Sequence, residues 1–273
     1  MVISMHVTSR DNQNIKLFRR LLASSTARRE LRLFACEGAR LCADAALSGV
    51  KIQKVIYTVE AVQTYPEQFR LLESTGAEMH AISGELAARI GDTATPQGIF
   101  CVAEWLDNQA GLNKIEKKIS CGGSDMTAVA LEHIQDPANM GAIIRTAEAF
   151  GVDALFLSDD CCDIYNSKVL RGSMGGIFRL PVCTVGGMGD AVRGWRSCGI
   201  RCYACVVDGT AIPVTDAKLR GGCICVIGNE GSGLCDDTAA ACDDRITIPM
   251  DGRAESLNAS MAAGIVMWEM TKL

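Results

Sequence analysis

Apolar residues recur along the chain at two spacings, one typical of helices and one of buried strands. Residues 9–22 place Ile15, Phe18, Leu21 and Leu22 on one side of a helix that begins behind Ser9 and has a basic outer face. Short apolar runs then alternate with helical segments up to residue 105. The predicted strands are 31–35, 52–57, 78–82 and 98–103, and the predicted helices are 39–47, 61–74 and 84–90. This alternation predicts a first α/β domain over residues 1–105.

A polar stretch at residues 106–125, which contains Gly111, Gly122 and Gly123, interrupts the alternation and predicts a linker. The alternation restarts over residues 126–273. The predicted strands are 127–134, 154–158, 181–185, 201–207, 222–227 and 245–248, and the predicted helices are 139–150, 167–176, 188–198, 234–242 and 257–271. Because the strands are apolar along their whole length, we expect a mainly parallel sheet that helices cover on both faces.

Composition narrows the class of protein. Hydrophobic residues make up 48% of the chain and charged residues 22%, and no run of about 18 apolar residues is present, which excludes a membrane-spanning or disordered protein. The first residues lack the pattern of a secretory signal, so a cytoplasmic protein is expected. The 14 cysteines lie largely within apolar runs, which favours reduced, buried thiols over a disulfide framework.

Charge is distributed unevenly. The net charge of −5 argues against a protein that coats nucleic acid by bulk charge, yet residues 1–40 carry a net charge of +5 and the remainder −10. A basic segment of this kind is either a solvated helix face or a surface that docks a polyanion.

Ligands of parallel α/β sheets collect where strands run into loops, so the loops of the second domain are the first place to look for chemistry. The first such loop carries Asn139, a candidate helix cap, and Gly141, which allows close approach of a ligand. Arg145 follows on an otherwise apolar helix. Its guanidinium there requires a partner, either a carboxylate of this chain or an anionic ligand.

The second loop is a glycine-rich turn that follows the strand at 222–227. Gly228, Gly231 and Gly233 permit a tight turn with exposed backbone amides at the start of a helix. The spacing differs from the dinucleotide-binding fingerprint, and a structural turn would explain the glycines alone. Asn229 and Glu230 within it are more typical of side chains that face a site.

The third loop follows the strand at 245–248 and leads into the last helix. Ser256 is the expected N-cap of that helix, and Asn258 and Ser260 lie in a first turn that is otherwise small and apolar.

Together the three loops resemble the SpoU (TrmH) class of the SPOUT methyltransferases, which methylate the ribose 2′-hydroxyl of ribosomal and transfer RNA. Residues 139–147 match the signature N-x-G-x-x-x-R-T-A, residues 227–233 match I-G-N-E-G-x-G, and residues 248–258 match I-P-M-x-G followed by S-L-N. The three occur in the family's order within residues 126–273. Residues 1–105 look like the family's substrate-binding domain.

The resemblance implies a catalytic domain with a deep C-terminal trefoil knot, a homodimer formed through that domain, and S-adenosyl-L-methionine as the cofactor. By position it implies seven cofactor-binding residues: Gly228, Asn229, Gly231, Gly233, Ile248, Met250 and Leu257. It also implies five residues at the reaction site: Asn139, Arg145, Glu230, Ser256 and Asn258.

The implied reaction is the attack of a ribose hydroxyl on the methyl carbon of a sulfonium, and it requires no metal. The hydroxyl is a very weak acid, so the enzyme has to align the reactants and stabilise the developing alkoxide. A guanidinium does not readily accept a proton, so we expect Arg145 to stabilise the alkoxide rather than act as the base.

The basic segment gains a role from this resemblance, since its arginines would contact RNA phosphates. The expected RNA-binding residues are Arg19, Arg20, Arg28, Arg29 and Arg32. The expected partner is RNA, ribosomal rather than transfer RNA, and neither a membrane nor a metal is expected.

Two alternatives remain at this point. Cys198, Cys202 and Cys205 have the spacing of the cluster ligands in radical S-adenosylmethionine enzymes, although an apolar strand there would turn alternate thiols to opposite faces. A non-catalytic RNA-binding or ribosome assembly factor on the same fold is the other alternative. The three histidines are too scattered in sequence to predict a zinc site.

Overall fold

The computed structural model describes residues 5–7, 12–106, 109–121, 125–229 and 231–272. It divides into two compact units. Unit 1 comprises Met1–Asp107 and Asp163–Phe178, and unit 2 comprises Asn108–Cys162 and Arg179–Leu273. Each unit contains its own β-sheet and its own hydrophobic core, in agreement with the expected α/β class.

The strands, in chain order, are β1 (Met5–Val7), β2 (Leu33–Glu37), β3 (Ile52–Thr58), β4 (Glu78–Ile82), β5 (Ile99–Glu104), β6 (Thr127–Leu131), β7 (Ala154–Ser158), β8 (Val182–Val185), β9 (Arg201–Cys205), β10 (Ile212–Pro213), β11 (Cys223–Ile227) and β12 (Asp244–Thr247). The helices are α1 (Gln13–Ala23), α2 (Ser25–Leu31), α3 (Ala39–Leu47), α4 (Val59–Thr64), α5 (Pro66–Ser74), α6 (Gly84–Ile90), α7 (Gln109–Ser120), α8 (Pro137–Ala149), α9 (Ser167–Gly172), α10 (Met188–Ser197), α11 (Asp236–Ala241) and α12 (Ala259–Thr271). A 3₁₀ turn follows α9 at Gly176–Phe178.

The sheet of unit 1 has the strand order β1-β4-β3-β5-β2. Strands β1, β4 and β3 run parallel, whereas β5 runs antiparallel to both of its neighbours. On one face the apolar side of α1, with Ile15, Phe18 and Leu21, packs into the core, and the ring of Phe18 meets that of Phe100 edge to face at 5.2 Å. The opposite side of α1 carries the exposed basic residues.

The sheet of unit 2 has the order β10-β12-β9-β11-β6-β7-β8, and all of its strands are parallel. Strands β6, β7 and β11 are almost entirely buried, which explains their continuous apolar sequences. The parallel arrangement brings the carboxyl ends of neighbouring strands to one edge of the sheet.

Several elements differ from the sequence expectation. The segment 61–74 forms two helices rather than one, because Pro66 begins α5 and cannot donate the backbone hydrogen bond that would continue α4. The expected linker at 106–125 contains α7, which buries Ile115 against the core of unit 2.

Residues 163–178, expected within the second domain, group with unit 1. The Arg28 guanidinium pairs with the Asp163 carboxylate at 2.7 Å, and the ring of Phe34 stacks on that of Tyr165 at 4.9 Å. The Tyr165 hydroxyl also accepts a hydrogen bond from the Leu106 backbone amide at 3.0 Å. These ties are distant in sequence, so local patterns could not reveal them.

The cysteines and the helix lengths agree with what the composition predicts. None of the 14 cysteines, all of which lie in the described residues, forms a disulfide, as expected for reduced thiols. Within the described part of the chain, the helices are all too short or too polar to cross a membrane.

Candidate active site

A cavity of about 560 Å³ lies in unit 2, where the carboxyl ends of β9, β11 and β12 meet. The residues that follow these three neighbouring strands, Val206, Gly228 and Ile248, all line it. Parallel α/β sheets bind their ligands at this edge, and the volume lies in the range of sites for small molecules and cofactors.

The seven residues expected to bind the cofactor come from two separate loops, and all of them line this one cavity. They are Gly228, Asn229, Gly231, Gly233, Ile248, Met250 and Leu257. Ser256, expected at the reaction site, lines it as well. The fold therefore brings the second and third sequence motifs together.

The glycine turn between β11 and α11 is closed by backbone hydrogen bonds. Asn229 and Gly233 exchange both of theirs, at 3.2 and 2.9 Å, and Gly233 has a φ of +68°, which favours glycine. A Cβ atom at Gly228 would lie 2.3 Å from the backbone of Gly233. The turn therefore requires glycine at 228 for close approach of two chain segments.

The side chain of Asn229 holds this turn together. Its Oδ1 accepts hydrogen bonds from the backbone amides of Gly231 (2.8 Å) and Ser232 (3.3 Å), and its Nδ2 donates to the His133 carbonyl at 3.0 Å. The amide of Asn229 therefore fixes the loop after β11 against the loop after β6.

Helix α8 begins differently from the expectation. Its N-cap is Asp136, whose carboxylate accepts from the Ala138 backbone amide at 2.8 Å, and Pro137 occupies the first helical position. The expectation that Asn139 caps this helix is wrong, because Asn139 lies inside the first turn and is only 7% exposed. Its side-chain amide therefore has a role other than capping α8.

The start of α12 also differs. Ser256 does not cap the helix; Asn258 does, with its Oδ1 accepting from the backbone amides of Ser260 and Met261. The Nδ2 of Asn258 donates to the Oδ1 of Asn139 at 2.9 Å. This hydrogen bond joins the first motif to the third, and helices α8 and α12 pack against each other behind it.

Arg145 projects from α8 into solvent. Its side chain is exposed and has no hydrogen-bond or ion-pair partner among the residues that the structure describes. The expected ion pair with a carboxylate of this chain is therefore absent from the described residues, and the guanidinium is free to meet an anionic ligand. Glu230 lies outside the described residues, and its expected role stays a prediction.

Sequence reasoning missed several residues at this cavity. Val206 and Val207 follow β9 and line it, as does Asp236 at the start of α11. A search of the residue after every parallel strand would have found the valines. The sequence alone also gave no sign that Glu132, His133 and Cys235 lie together beside the glycine turn, because His133 and Cys235 are 102 residues apart.

The radical-enzyme alternative does not agree with the geometry. Cys202 lies fully buried in the core of unit 2, and burial raises its pKa, whereas Cys198 is exposed beyond α10. Within the described residues, these two thiols and that of Cys205 do not come together as a metal-binding group.

The basic residues of unit 1 have different surroundings. Arg19 and Arg29 are exposed, Arg20 pairs with Glu30 at 3.2 Å on the surface, and the Arg32 guanidinium lies 4.2 Å from the ring centre of Trp105. Arg28 is only 3% exposed. The expectation that Arg28 contacts RNA is wrong, because its guanidinium binds Asp163 and the Leu22 carbonyl inside the unit.

A parallel α/β sheet with a glycine turn and a ligand-sized cavity at the carboxyl ends of its strands defines unit 2 as a cofactor-binding enzyme domain. Residues 126–268 match the SpoU rRNA Methylase family, and residues 12–101 match the MRM3-like substrate binding domain. The chain belongs to the SpoU rRNA methylase family, which confirms the resemblance found in its three motifs.

Relatives match over nearly the whole chain. The 23S rRNA (guanosine(2553)-2′-O)-methyltransferase RlmP of Bacillus subtilis (strain 168) is 26% identical over 97% of this chain and 98% of its own length. The AdoMet-bound rRNA methyltransferase of Sinorhizobium meliloti has a TM-score of 0.83 at 26% identity, with 98% of this chain and 97% of that chain covered. The SpoU methyltransferase AviRb of Streptomyces viridochromogenes, in complex with AdoMet, has a TM-score of 0.80 at 26% identity over 96% of this chain and 97% of its own.

Proposed function

We propose that this protein transfers a methyl group from S-adenosylmethionine to a ribose 2′-hydroxyl of ribosomal RNA. The observation that carries the proposal is that the second and third motifs line one cavity, while the first motif is hydrogen-bonded to the third. The glycine turn and the loop before α12 line that cavity, and the Asn258–Asn139 hydrogen bond ties the second of these loops to α8. Two of the proteins named above, those of Bacillus subtilis and Sinorhizobium meliloti, are rRNA methyltransferases and support the substrate class.

The cavity fits the cofactor. Val206, Val207 and Leu257 offer apolar surface for a purine ring, while the backbone of the glycine turn offers amides and carbonyls. Gly228 and Gly233 keep this part of the wall free of side chains. When bound, the cofactor supplies a methyl group on a positively charged sulfur.

The chain's own residues provide alignment and charge. The Asn139–Asn258 pair fixes the loop before α12 against α8, so this loop, which lines the cavity, keeps a constant position. Arg145, on the same helix as Asn139, carries a positive charge with no partner among the described residues. It stabilises the alkoxide that develops on the ribose oxygen, in the manner of an oxyanion-binding group.

RNA docks on the basic face of unit 1 through Arg19, Arg20, Arg29 and Arg32, which are exposed. Arg19 and Arg29 lie on α1 and α2, two consecutive helices joined at Ser24. Contacts of this kind position the RNA without reading its sequence. A ribosomal RNA substrate fits the cytoplasmic location expected from the sequence.

The proposal includes a homodimer. Met261 and Trp268 lie seven residues apart on α12, so they share one side of the helix, and they are 62% and 54% exposed. The ring of Phe150 lies 5.8 Å from that of Trp268 and extends the apolar surface. A second copy covers this surface. Sedimentation equilibrium should give a dimer for the native protein and a monomer for Trp268→Glu, and a monomeric native protein would contradict the proposal.

The proposal also includes the trefoil knot. Strand β11 lies between β9 and β6, and β12 lies on the other side of β9, so the chain crosses the sheet repeatedly before α12 packs on α8. This order is compatible with a threaded C-terminus. An experimental structure whose C-terminal segment can be drawn straight without passing through a loop would contradict the knot.

The experiment that tests the proposed function uses the purified full chain, S-adenosylmethionine with a labelled methyl group, and protein-free ribosomal RNA or transfer RNA in separate reactions. We expect label in ribosomal RNA above that in transfer RNA. Cofactor binding without transfer to any RNA would favour the non-catalytic alternative, and no cofactor binding would contradict the proposal altogether.

A further inference from the structure

Three side chains of different chemistry come together beside the glycine turn of unit 2. Glu132 and His133 directly follow β6, and Cys235 directly precedes α11. One carboxylate oxygen, one ring nitrogen and the thiol sulfur all lie within 4.8 Å of one another, and His133 Nε2 is 3.1 Å from Cys235 Sγ. Neither the proposed methyl transfer nor the family resemblance assigns a role to this cluster.

The histidine of the cluster is held in one orientation. His133 Nδ1 is hydrogen-bonded to the Asp160 carboxylate, which also accepts from the Ser158 hydroxyl at 2.5 Å. Because Asp160 takes the Nδ1 hydrogen, the lone pair is on Nε2, on the side of Cys235. A carboxylate behind a histidine is the usual support of a metal-binding imidazole.

The backbone around His133 is fixed as well. Its amide donates to the Ser158 hydroxyl at 3.0 Å, and its carbonyl accepts from Asn229 Nδ2 at 3.0 Å. His133 adopts a φ of +60°, which is uncommon for a residue other than glycine. The ring is therefore positioned before any ligand arrives.

Glu132 is similarly constrained. Only 4% of the residue is exposed, and its two oxygens accept hydrogen bonds from the Cys235 backbone amide (2.8 Å) and the Thr238 hydroxyl (2.6 Å). A carboxylate has about four lone-pair positions, so each oxygen keeps one for a further partner. A cation is the partner that suits a buried carboxylate.

The charges around the thiol also favour a cation. Four carboxylates lie close to it: Glu132 accepts a hydrogen bond from the Cys235 backbone amide, Asp160 is hydrogen-bonded to His133, and Asp236 and Asp237 directly follow Cys235. A bound cation would offset the acidic groups and hold the sulfur as thiolate.

We propose that Glu132, His133 and Cys235 bind a zinc ion, with the fourth coordination position open to water. Sulfur, imidazole nitrogen and carboxylate oxygen together suit zinc, whereas magnesium and calcium prefer oxygen alone. Three protein ligands with one open position are typical of zinc sites that are accessible to solvent. His133 is partly exposed and Cys235 is exposed, which gives the ion a path to the site.

A zinc ion at this site would connect two loops that lie next to the cavity. Asn229 links the His133 carbonyl to the glycine turn, and Cys235 lies between Leu234 and Asp236, two residues that line the cavity. Zinc would therefore tie the loop after β6 to the far end of the turn. The expectation that methyl transfer needs no metal is unaffected, since the ion is assigned no step in the reaction.

The test measures metal binding by the full chain and needs neither RNA nor S-adenosylmethionine. Metal-free protein is titrated with zinc against a chromogenic chelator and, separately, with cobalt(II) as a spectroscopic probe. We expect one tight zinc equivalent, a thiolate-to-cobalt charge-transfer band, and a zinc-dependent rise in melting temperature. Affinity should increase between pH 6 and pH 8, because Cys235 must lose its proton to bind.

Variants separate this site from the other thiols. Cys235→Ser and His133→Ala should lose the cobalt band and weaken zinc binding more than 100-fold, and Asp160→Asn should weaken it about 10-fold to 100-fold. Cys198→Ser, which alters an exposed cysteine outside the cluster, should behave like the native protein. Circular dichroism of the metal-free variants checks that they are folded.

Three results would overturn the proposal. The first is native protein that binds zinc no more tightly than folded Cys235→Ser. The second is a cobalt band that survives in Cys235→Ser, and the third is zinc binding that Cys198→Ser abolishes. Because no methyl transfer is measured, failure here leaves the proposed function standing.

Discussion

Asn258 donates its side-chain amide to the Oδ1 of Asn139 at 2.9 Å, although the two residues are 119 positions apart. The same side chain caps α12, because its Oδ1 accepts from the backbone amides of Ser260 and Met261 at 3.0 and 3.4 Å. One residue thus begins a helix and joins two of the three motifs. These two roles can be separated by substitution.

The first prediction concerns this separation. Asn258→Ser keeps a good cap but is too short to reach Asn139, whereas Asn258→Ala loses both roles. We expect methyl transfer to fall at least tenfold in both variants. The free energy of unfolding should fall by about 1 kcal/mol in the alanine variant only.

Thermal unfolding and single-turnover transfer rates measure the two effects. Ser260→Ala is the matched control, since its hydroxyl bonds only to the Asn258 Oδ1 among the described residues. A serine variant with the native transfer rate would show that the Asn139 contact has no part in the reaction.

The second prediction concerns the glycine turn. Gly228→Ala would bring a Cβ atom to 2.3 Å from the Gly233 backbone, so the turn has to open. We expect a loss of about 1 to 3 kcal/mol in the free energy of unfolding and a weaker affinity for S-adenosylmethionine. Chemical denaturation and calorimetric titration measure these changes.

Gly252→Ala is the control for this prediction, because an added Cβ atom at Gly252 meets nothing within 4 Å. Its stability should stay within about 0.5 kcal/mol of the native protein. Equal effects in the two variants would contradict the structural role of Gly228.

The third prediction distinguishes surface arginines from a buried one. The double variant Arg19→Gln with Arg29→Gln removes two exposed charges and should weaken RNA binding. It should also reduce the slope of binding against salt by about 1.4 to 1.8, as expected for two lost phosphate contacts. Filter binding over a range of salt concentrations measures the slope.

Arg28→Gln should act on stability instead. Its partner Asp163 would lose the guanidinium that binds it. We expect the free energy of unfolding to fall by about 3 kcal/mol, the lower end of the range for a buried pair, because Asp163 is partly exposed. Below its melting temperature this variant should keep the native salt slope. A reduced salt slope with unchanged stability would show that Arg28 contacts RNA after all.

The fourth prediction is a pH dependence in unit 1. A hydrogen bond from Ser167, and then hydrogen bonding and charge from Arg171, lower the pKa of Asp92 despite its partial burial. An aspartate with a lowered pKa stabilises the folded state above its unfolded pKa of about 3.9, and this stabilisation is lost as the pH falls through the folded value.

Asp92→Asn should therefore be less stable than the native protein at pH 6, and the difference should shrink below about pH 4. Urea unfolding at a series of pH values measures it. Asp216→Asn is the control, since this aspartate lies in unit 2 and no charged partner is found for it in the described residues. A difference independent of pH would mean that Asp92 acts by packing rather than by charge.

Local patterns predicted much of the fold. Helices α3 and α6 and strands β4 and β7 have the predicted bounds, because each is a short apolar segment with clear turn residues at its ends. Helix α7 was missed because Ile115 is the one buried residue among those of the helix whose burial is described. A helix with so little buried apolar surface has a sequence that resembles a polar linker. Contacts between residues far apart in the sequence, such as the ion pair of Arg28 with Asp163, place residues 163–178 in unit 1. Local sequence patterns carry no information about such contacts.

The candidate site was predicted in part. The motifs indicated the two loops that line the cavity, yet the helix caps were placed on Asn139 and Ser256 rather than Asp136 and Asn258. Asparagine, serine and aspartate can all cap a helix, so only the structure decides which residue does. The cluster of Glu132, His133 and Cys235 depends on the sheet order that brings β6 beside β11, which no sequence spacing reveals.

The identity of the methylated nucleoside decides whether this protein methylates ribose in ribosomal RNA. Ribosomal RNA labelled by the purified protein and S-adenosylmethionine is digested, and the labelled nucleosides are separated. We expect a single 2′-O-methylated nucleoside, with at least a hundredfold less label from Arg145→Ala despite unchanged cofactor binding. Label on a base, or native-rate transfer by Arg145→Ala, would contradict this expectation.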